Sequence, residues 1–227
     1  MDSKSLAQTF DQSILRPEAI SKEEIIRISK EAIQYGFRGI VVHPYNVSLV
    51  KDLLKGSNVL TVSVCDFPHG KGLTKSRVKD IKEILKLGVD EVDIVANYQL
   101  IQEENTRDLK KDLKAVAKAM EGKVLKIILE VDLLTEKSIR HATRTIAKIV
   151  SEEDANIVIK TKTGFSENKL PNLTAVKIIK EILEEINLYG KIKIKASGGI
   201  KTKEEAFQLL ETGAHILGVS KGKELIS

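Results

Sequence analysis

The chain has 227 residues, of which 42% are hydrophobic and 30% are charged, and this balance excludes an intrinsically disordered protein. It carries 37 Lys and Arg residues against 32 Asp and Glu residues, but the two signs are mixed along the predicted helices and indicate solvated helix faces. Aromatic residues make up only 4% of the chain, which leaves little for base stacking, so binding of nucleic acid is not expected as its main function.

The cysteine content and the absence of targeting signals indicate the compartment. The single cysteine, Cys65, excludes an internal disulfide and suits a reducing environment. The chain opens without a secretory signal peptide, and no apolar run approaches the length of a membrane span. We therefore predict a cytoplasmic protein that does not contact the membrane.

Short β-branched runs alternate with longer amphipathic stretches along the whole chain. Strands are predicted at 9–14, 38–44, 59–68, 91–97, 125–132, 156–164, 191–199 and 215–220. Helices are predicted at 21–35, 46–55, 74–87, 103–121, 135–151, 171–189 and 202–212. Two of these helices open with a capping box, formed by Ser21 with Glu24 and by Thr202 with Glu205.

This alternation of strands and helices predicts parallel strands joined by right-handed crossovers. About eight such units without a linker or low-complexity segment predict an α/β fold, a single (β/α)8 TIM barrel domain over residues 1–227. The competing fold is an open doubly wound sheet, which usually carries a GxGxxG turn that is absent here. The fragment GKGLTKS at 70–76 lacks the leading glycine and the Lys-Ser/Thr order of a P-loop, so we reject that interpretation.

Side chains alternate across each strand and separate an aliphatic face from a charged face. Ile157 and Ile159 share one face of their strand, while Lys160 and Lys162 share the other. The aliphatic face must pack against the helices, so the charged face points into the barrel. By the same argument, four charged side chains are expected to meet near the barrel mouth: Asp93, Glu130, Lys160 and Lys195.

This cluster is either a structural ion-pair network or a site of chemistry. Burying charges in place of aliphatic layers is a weak route to stability, so we favour chemistry. A lysine amine becomes a nucleophile when burial or a neighbouring cation lowers its pKa; Lys195 can supply that cation to Lys160, and Asp93 can move protons. The natural product is a Schiff base with a carbonyl substrate. The four histidines are dispersed and no HExxH or Cys/His ligand spacing occurs, so metal chemistry is not expected.

Glycine-containing loops follow the last two predicted strands. Their sequences are SGGIK at 197–201 and GVSKG at 218–222. Backbone N–H groups in such loops can bind a phosphate, with Lys201 or Lys221 nearby. TIM barrels frequently place a phosphate site after strands seven and eight, so these loops predict a small phosphorylated substrate.

These motifs resemble the deoxyribose-phosphate aldolase family over nearly the whole chain. The segments FDQSILRPEA, GFRGIVVHPYNV, GVDEVDIVAN, LKIILE, IKTKTGF, KASGGIKT and LGVSKG follow the family's order. The KTxTGF and KxxGGI motifs, as an ordered pair, are highly specific. The resemblance implies reversible cleavage of 2-deoxy-D-ribose 5-phosphate to acetaldehyde and D-glyceraldehyde 3-phosphate, without metal or organic cofactor. It also leads us to expect a homo-oligomer, either a dimer or a tetramer.

The resemblance further implies residue roles. Lys160 would form the Schiff base, Lys195 would tune it, and Asp93 would be the acid/base partner. Asp11 would lie in the substrate site, and the phosphate would be held by Gly164, Gly198, Gly199, Gly218 and Ser220. We add Lys162 and Lys201 to this set as cations expected near the phosphate.

The chain also departs from the family pattern. Family members usually have serine where Lys162 and Lys221 stand, glycine where Asp66 stands, and cysteine where an aliphatic residue stands near Val41. Two other functions stay open. One is a phosphate-binding barrel isomerase or synthase that uses acid/base chemistry without a covalent intermediate. The other is a barrel scaffold that binds anions or nucleic acid without turnover.

Overall fold

The strands of the protein close into a barrel in which neighbours in sequence are neighbours in space. The structure is a computed structural model that describes residues 2–167 and 169–226. Every strand pairs in parallel with the next one along the chain, and the last pairs with the first. The eight strands are β1 (Phe10–Ile14), β2 (Gly39–Val42), β3 (Leu60–Cys65), β4 (Glu91–Val95), β5 (Val124–Ile128), β6 (Ile157–Lys160), β7 (Lys193–Ser197) and β8 (Ile216–Val219).

Helices connect the strands and cover the outside of the barrel, so the predicted (β/α)8 barrel is confirmed. Within the described ranges, none of these helices has the length and apolar character that a membrane crossing requires. They are α1 (Ser3–Ala7), α2 (Lys22–Tyr35), α3 (Val47–Leu53), α4 (Thr74–Lys86), α5 (Tyr98–Gln102), α6 (Thr106–Ala119), α7 (Glu136–Glu153), α8 (Asn172–Glu185), α9 (Lys203–Thr212) and α10 (Gly222–Ile226).

Most predicted elements match these bounds to within a few residues, but the short helices α1, α5 and α10 were not predicted. The predicted helix at 103–121 begins at Thr106 instead. Asn105 is its N-cap, because the Asn105 side chain accepts a hydrogen bond from the backbone N–H of Asp108. Glu104, just before it, has a positive φ of 52° and separates this helix from α5.

The two predicted capping boxes differ in the structure. At the start of α9 the Thr202 hydroxyl accepts from the N–H of Glu205, and the Glu205 carboxylate accepts from the N–H of Thr202, which completes the box. At the start of α2 the Ser21 hydroxyl caps the helix as expected. The Glu24 carboxylate there binds Arg16 instead, so that box is only half formed.

The side chains of each strand point either outward, toward the helices, or inward, into the barrel. Aliphatic residues that face outward from the strands, among them Ile157, Ile159, Ile192 and Ile194, belong to the large core between barrel and helices. A small second apolar cluster, made of Leu15, Val41, Val62 and Val64, fills the inside of the barrel beside β2 and β3. The inside of the barrel beside β4 to β7 and β1 holds charged side chains, which form the candidate site.

The complete capping box gives a prediction about stability. Thr202→Ala removes the hydroxyl that accepts the N–H of Glu205, so the free energy of unfolding should fall by ~1 kcal/mol. Urea denaturation measures this change. The variant Thr212→Ala serves as a control, because that hydroxyl bonds to a helix carbonyl at the opposite end of α9 and caps no N-terminus. An equal loss in both variants would contradict the role of the cap.

Candidate active site

Asp93 lies at the centre of a buried ion network inside the barrel. Its Oδ2 accepts hydrogen bonds from the Nζ atoms of Lys160 and Lys195, each at 3.0 Å, and its Oδ1 accepts one from Lys126 Nζ at 2.8 Å. The strand register produces this arrangement, because Asp93 is the Cα partner of Lys126 and Lys160 is the Cα partner of Lys195. The expected meeting of Asp93, Lys160 and Lys195 is therefore found.

The network extends from this centre toward the N-terminal end of the barrel. Asp11, fully buried, accepts from Lys195 Nζ at 2.6 Å and from Arg38 Nη1 at 2.7 Å. Lys126 Nζ lies 2.6 Å from a carboxylate oxygen of Glu91, which also pairs with Arg38. Charges of opposite sign thus alternate from Lys160 at the end of β6 down to Glu91 at the start of β4.

The charge balance of this network singles out one lysine. The network holds four cationic groups, Lys126, Lys160, Lys195 and Arg38, against the three carboxylates of Asp11, Glu91 and Asp93. A neutral Lys160 makes the two signs equal, which reduces the cost of burying the whole set.

The pKa of Lys160 shifts in the direction that this balance requires. Burial lowers the pKa of the Lys160 ammonium from 10.5 to about 8; Asp93 opposes the shift, and the nearby cations Lys195 and Lys126 assist it. For Asp93, the charged neighbours outweigh the effect of burial. Its burial would raise the pKa, but Lys126, Lys195 and Lys160 outweigh that effect and hold the pKa well below its usual range. Lys160 is thus a lysine with access to the neutral amine near neutral pH, beside a carboxylate that stays ionised.

A cavity of about 710 Å³ opens at the C-terminal ends of the strands, above this network. Lys160, Lys195 and Asp11 reach it from below. Its sides include the backbone of the glycine loops that follow β6, β7 and β8. From the predicted phosphate set, these loops contribute Gly164, Gly198, Gly199, Gly218 and Ser220.

Apolar side chains face Lys160 from the other half of the barrel. The ring centre of Phe67 is 5.9 Å from Lys160 Nζ, and Phe165 packs edge-on against Phe67 at 5.3 Å. Leu15 and Val41 line the cavity as well. An amine beside such groups loses hydration, which is the main physical reason for its lowered pKa.

The prediction that Glu130 joins the charged cluster is wrong. Glu130 follows β5 with a left-handed backbone, φ 57°, and this turn takes its side chain out of the alternation of the strand. Its carboxylate accepts from the backbone N–H and the hydroxyl of Thr163 and from the hydroxyl of Ser166. Glu130 therefore anchors the loop after β6.

Two lysines expected near the phosphate do not line this cavity. Lys162 is buried, with 1% of its surface exposed, but its Nζ donates to Asp132 Oδ1 at 2.8 Å and it is absent from the cavity lining. The strand ends at Lys160, so parity counted from it no longer fixes the direction of the next side chains. Lys201 is exposed beyond the glycine loop, its backbone N–H donates to Glu205, and it does not line the cavity.

Lys126, Glu91 and Arg38 are members of the network that were not singled out from the sequence. Strand alternation could have indicated two of them, because Lys126 and Glu91 have the same parity as Ile128 and Asp93 on their strands. Arg38 precedes β2 and shows no such pattern, because only the closed barrel brings it between Asp11 and Glu91.

Cys65 and His43 also have potentially reactive side chains, but neither belongs to the network. Burial raises the pKa of the Cys65 thiol to about 12, and Cys65 belongs to the core outside the barrel. His43 Nε2 is 3.3 Å from the carbonyl oxygen of Leu15. Among residues 2–167 and 169–226, no group of three or more His, Cys, Asp or Glu side chains is arranged to hold a metal ion.

The fold and the site define a (β/α)8 barrel enzyme with a buried lysine at the base of an open cavity. Residues 5–224 match the DeoC/LacD family of aldolases. The chain is 36% identical over 227 residues to a deoxyribose-phosphate aldolase of Dictyoglomus turgidum, covering 100% of this chain and 98% of that protein. The chain belongs to the DeoC/LacD aldolase family, and it is accordingly a lyase.

Solved structures agree with this assignment. A putative deoxyribose-phosphate aldolase from Coccidioides immitis superposes with a TM-score of 0.91 at 30% identity, over 100% of this chain and 86% of that chain. A tetrameric deoxyribose phosphate aldolase from Aeropyrum pernix superposes with a TM-score of 0.85 at 25% identity, over 99% of this chain and 91% of that chain.

The electrostatics of Lys160 give a prediction about stability. The native pKa of about 8 lies below the unfolded value of 10.5, so below pH 8 the buried ammonium costs on the order of 3 kcal/mol. Lys160→Met should therefore raise the free energy of unfolding at pH 7. Because the unfolded chain binds more protons between pH 8 and 10.5, wild-type stability rises over that window, and the advantage of the variant should shrink.

Lys126→Met is the matched control for this prediction. Lys126 is as deeply buried as Lys160, but Asp93, Asp11 and Glu91 outweigh the cost of its burial and raise its pKa. Its removal takes one cation away from each of Asp93, Asp11 and Glu91 and should destabilise the protein by ~3 kcal/mol. Urea denaturation across pH 7 to 10 measures both variants. A loss of stability in Lys160→Met at pH 7 would contradict the proposed charge balance.

Proposed function

We propose that this protein is a class I aldolase that reversibly cleaves 2-deoxy-D-ribose 5-phosphate to acetaldehyde and D-glyceraldehyde 3-phosphate through a Schiff base on Lys160. The observation that carries this proposal is the buried Lys160 amine, with its pKa lowered to about 8, at the base of a cavity walled by glycine loops. Membership in the aldolase family and the names of the relatives support the reaction class and the substrate.

The reaction begins with the neutral amine of Lys160. The amine attacks C1 of the open-chain aldehyde, and loss of water gives a protonated iminium. A base then takes the proton of the C3 hydroxyl, the C2–C3 bond breaks, and its electron pair moves toward the iminium nitrogen to form an enamine. D-Glyceraldehyde 3-phosphate leaves, the enamine is protonated at C2, and water hydrolyses the iminium to acetaldehyde and free Lys160.

Asp93 and Lys195 support this sequence from one side of Lys160. Both lysines donate to the same oxygen, Asp93 Oδ2, at 3.0 Å, so a proton can pass between the two amines through a single carboxylate. Asp93 also carries a negative charge close to the nitrogen on which the iminium charge develops, and this stabilises the intermediate. Asp11 holds Lys195 from its other side at 2.6 Å.

The phosphate of the substrate is assigned to the glycine loops that follow β6, β7 and β8 and line the cavity. Backbone N–H groups of such loops bind an anion without a side chain between them and the ligand. Gly198 and Gly199 both have positive φ angles, 83° and 75°, which a residue with a Cβ rarely adopts. The residues proposed to surround the phosphate are Gly164, Gly198, Gly199, Gly218 and Ser220.

Assembly and cellular setting are also part of the proposal. The Aeropyrum pernix aldolase is described as a tetramer, and we propose a homo-oligomer for this chain as well. A cytoplasmic location and a reaction without metal or organic cofactor stay predictions. Dialysis against a strong chelator followed by an activity assay tests the latter.

Reductive trapping tests the covalent step. With acetaldehyde and borohydride, the proposal expects a reduced ethyl adduct on Lys160, located by peptide mass spectrometry. Lys160→Met should give no adduct and lose essentially all turnover, while Lys110→Met, which alters a surface lysine paired with Glu152, should behave as wild type. An adduct on Lys162 or Lys195 with Lys160 unmodified would contradict the assignment of Lys160 as the Schiff-base lysine. Turnover without any adduct would favour acid/base chemistry without a covalent intermediate.

Two neighbours of Lys160 should shift the pH profile in opposite directions. Lys195 lowers the pKa of Lys160 and Asp93 raises it. We expect kcat/KM to rise with pH near pH 8, where Lys160 loses its proton. Because Lys195 lowers the pKa of Lys160, Lys195→Met should move that rise to higher pH. Asp93→Asn should move it to lower pH and reduce the maximal rate by ~10²-fold or more if Asp93 transfers protons. Shifts in the same direction would contradict the assigned roles.

A further inference from the structure

The loop after β6 is held by two acidic residues of the loop after β5. Asp132 Oδ1 accepts from Lys162 Nζ at 2.8 Å and from the backbone N–H of Leu170 at 2.9 Å, and its Oδ2 accepts from the Ser166 hydroxyl at 2.9 Å. Lys162 Nζ also donates to the Leu170 carbonyl at 2.8 Å. These bonds join Lys162, Ser166 and Leu170 to one carboxylate, and Gly164 lies between the first two of these residues in the chain.

The aliphatic part of Lys162 supports the next glycine loop. A Cβ added to Gly198 would lie 2.9 Å from Lys162 Cδ, 3.0 Å from Lys162 Cγ and 3.1 Å from the Cα of Gly164. The methylene groups of Lys162 therefore pack close to Gly198 and leave no room for a side chain there, and Gly164 lies close to the same position. The Ser197 hydroxyl donates to the Lys162 carbonyl at 2.6 Å and fixes the two loops to each other.

The charge of Lys162 contributes little attraction for an anion in the cavity. Its ammonium is buried, is paired at short range with Asp132 and is absent from the cavity lining. A paired charge presents almost no net field at a distance. What Lys162 can change is the position of the backbone N–H groups around Gly164 and Gly198, and hydrogen bonds to a phosphate depend strongly on that geometry.

We infer that Lys162 and Asp132 are positioning residues for phosphate recognition, and that their buried ion pair sets the spacing of the loops at Gly164 and Gly198. The inference rests on the proposed function, because it assumes that these loops receive the phosphate. It replaces the expectation that Lys162 binds the anion directly.

The central variant is the double substitution Lys162→Met with Asp132→Asn. Methionine keeps an unbranched stem close to Gly198, and removing both charges together leaves no buried ion without a partner, so the fold should persist. For this variant, kcat/KM for 2-deoxyribose 5-phosphate should fall by about tenfold, mainly through KM, as expected for one misaligned charged hydrogen bond. The value for unphosphorylated 2-deoxyribose should stay unchanged.

Two comparisons separate positioning from general damage. Lys162→Met alone should show the same substrate discrimination with a lower unfolding free energy, because Asp132 then loses its cation. Lys110→Met, at a surface pair with Glu152, should match the wild type with both substrates. An unchanged preference for the phosphorylated sugar in the double variant overturns the inference, and so does an equal loss with both substrates.

Binding of inorganic phosphate, measured by calorimetry, keeps this inference distinct from the proposed reaction. The Kd should rise by about tenfold from the wild type to the double variant, while borohydride trapping of acetaldehyde on Lys160 stays unchanged. Equal Kd values, or a wild type that does not bind phosphate, overturn the inference. If the wild type gives no acetaldehyde adduct but the Kd for phosphate rises in the double variant as expected, the Schiff base is rejected and the positioning role is retained.

Discussion

The structure depends on one buried carboxylate that is shared by three lysines. Asp93 is fully buried and accepts hydrogen bonds from Lys126, Lys160 and Lys195. Removing an ion from water costs several kcal/mol, and only dense pairing compensates for it. The network therefore requires nearly equal numbers of both signs, and it has one cation in excess when every group is charged. Lys160, which lies at the open end of the network, is the member that can relieve this excess by losing its proton.

The same requirement explains why the barrel interior is divided. TIM barrels usually fill their interior with layers of branched aliphatic side chains, and here a cluster of such side chains lies beside β2 and β3, whereas charged side chains form a network in the rest of the interior. In the proposed reaction the charged half would transfer protons and stabilise the developing cation. The apolar side chains near Lys160, Phe67 among them, reduce the hydration of its amine. The proposed nucleophile needs both halves, because a lysine among charges alone stays protonated and one among apolar groups alone has no route for its proton.

The sequence allowed the barrel and the core of the site to be predicted because both follow local periodic patterns. Strand alternation placed Lys160, Lys195 and Asp93 on one face, and closure of the barrel then brought them together. The pattern failed where the strand ended: Glu130 adopts a left-handed backbone and Lys162 lies beyond the last residue of β6. The position of Arg38 depends on contacts between distant strands, which no local pattern records.

The two lysines on either side of Thr161 show how position decides the role of a buried charge. Burial lowers the pKa of Lys160, and Asp93, which two further lysines also contact, does not offset that effect. Lys162 has Asp132 as an ion-pair partner close to its own ammonium, and two loops close around that pair. In the proposed site Lys160 supplies the neutral amine, whereas Lys162, held by a carboxylate and a carbonyl, fixes geometry. If the proposed phosphate site is formed by the loops at Gly164 and Gly198, it needs geometry from Lys162 more than charge, because backbone N–H groups already supply the donors.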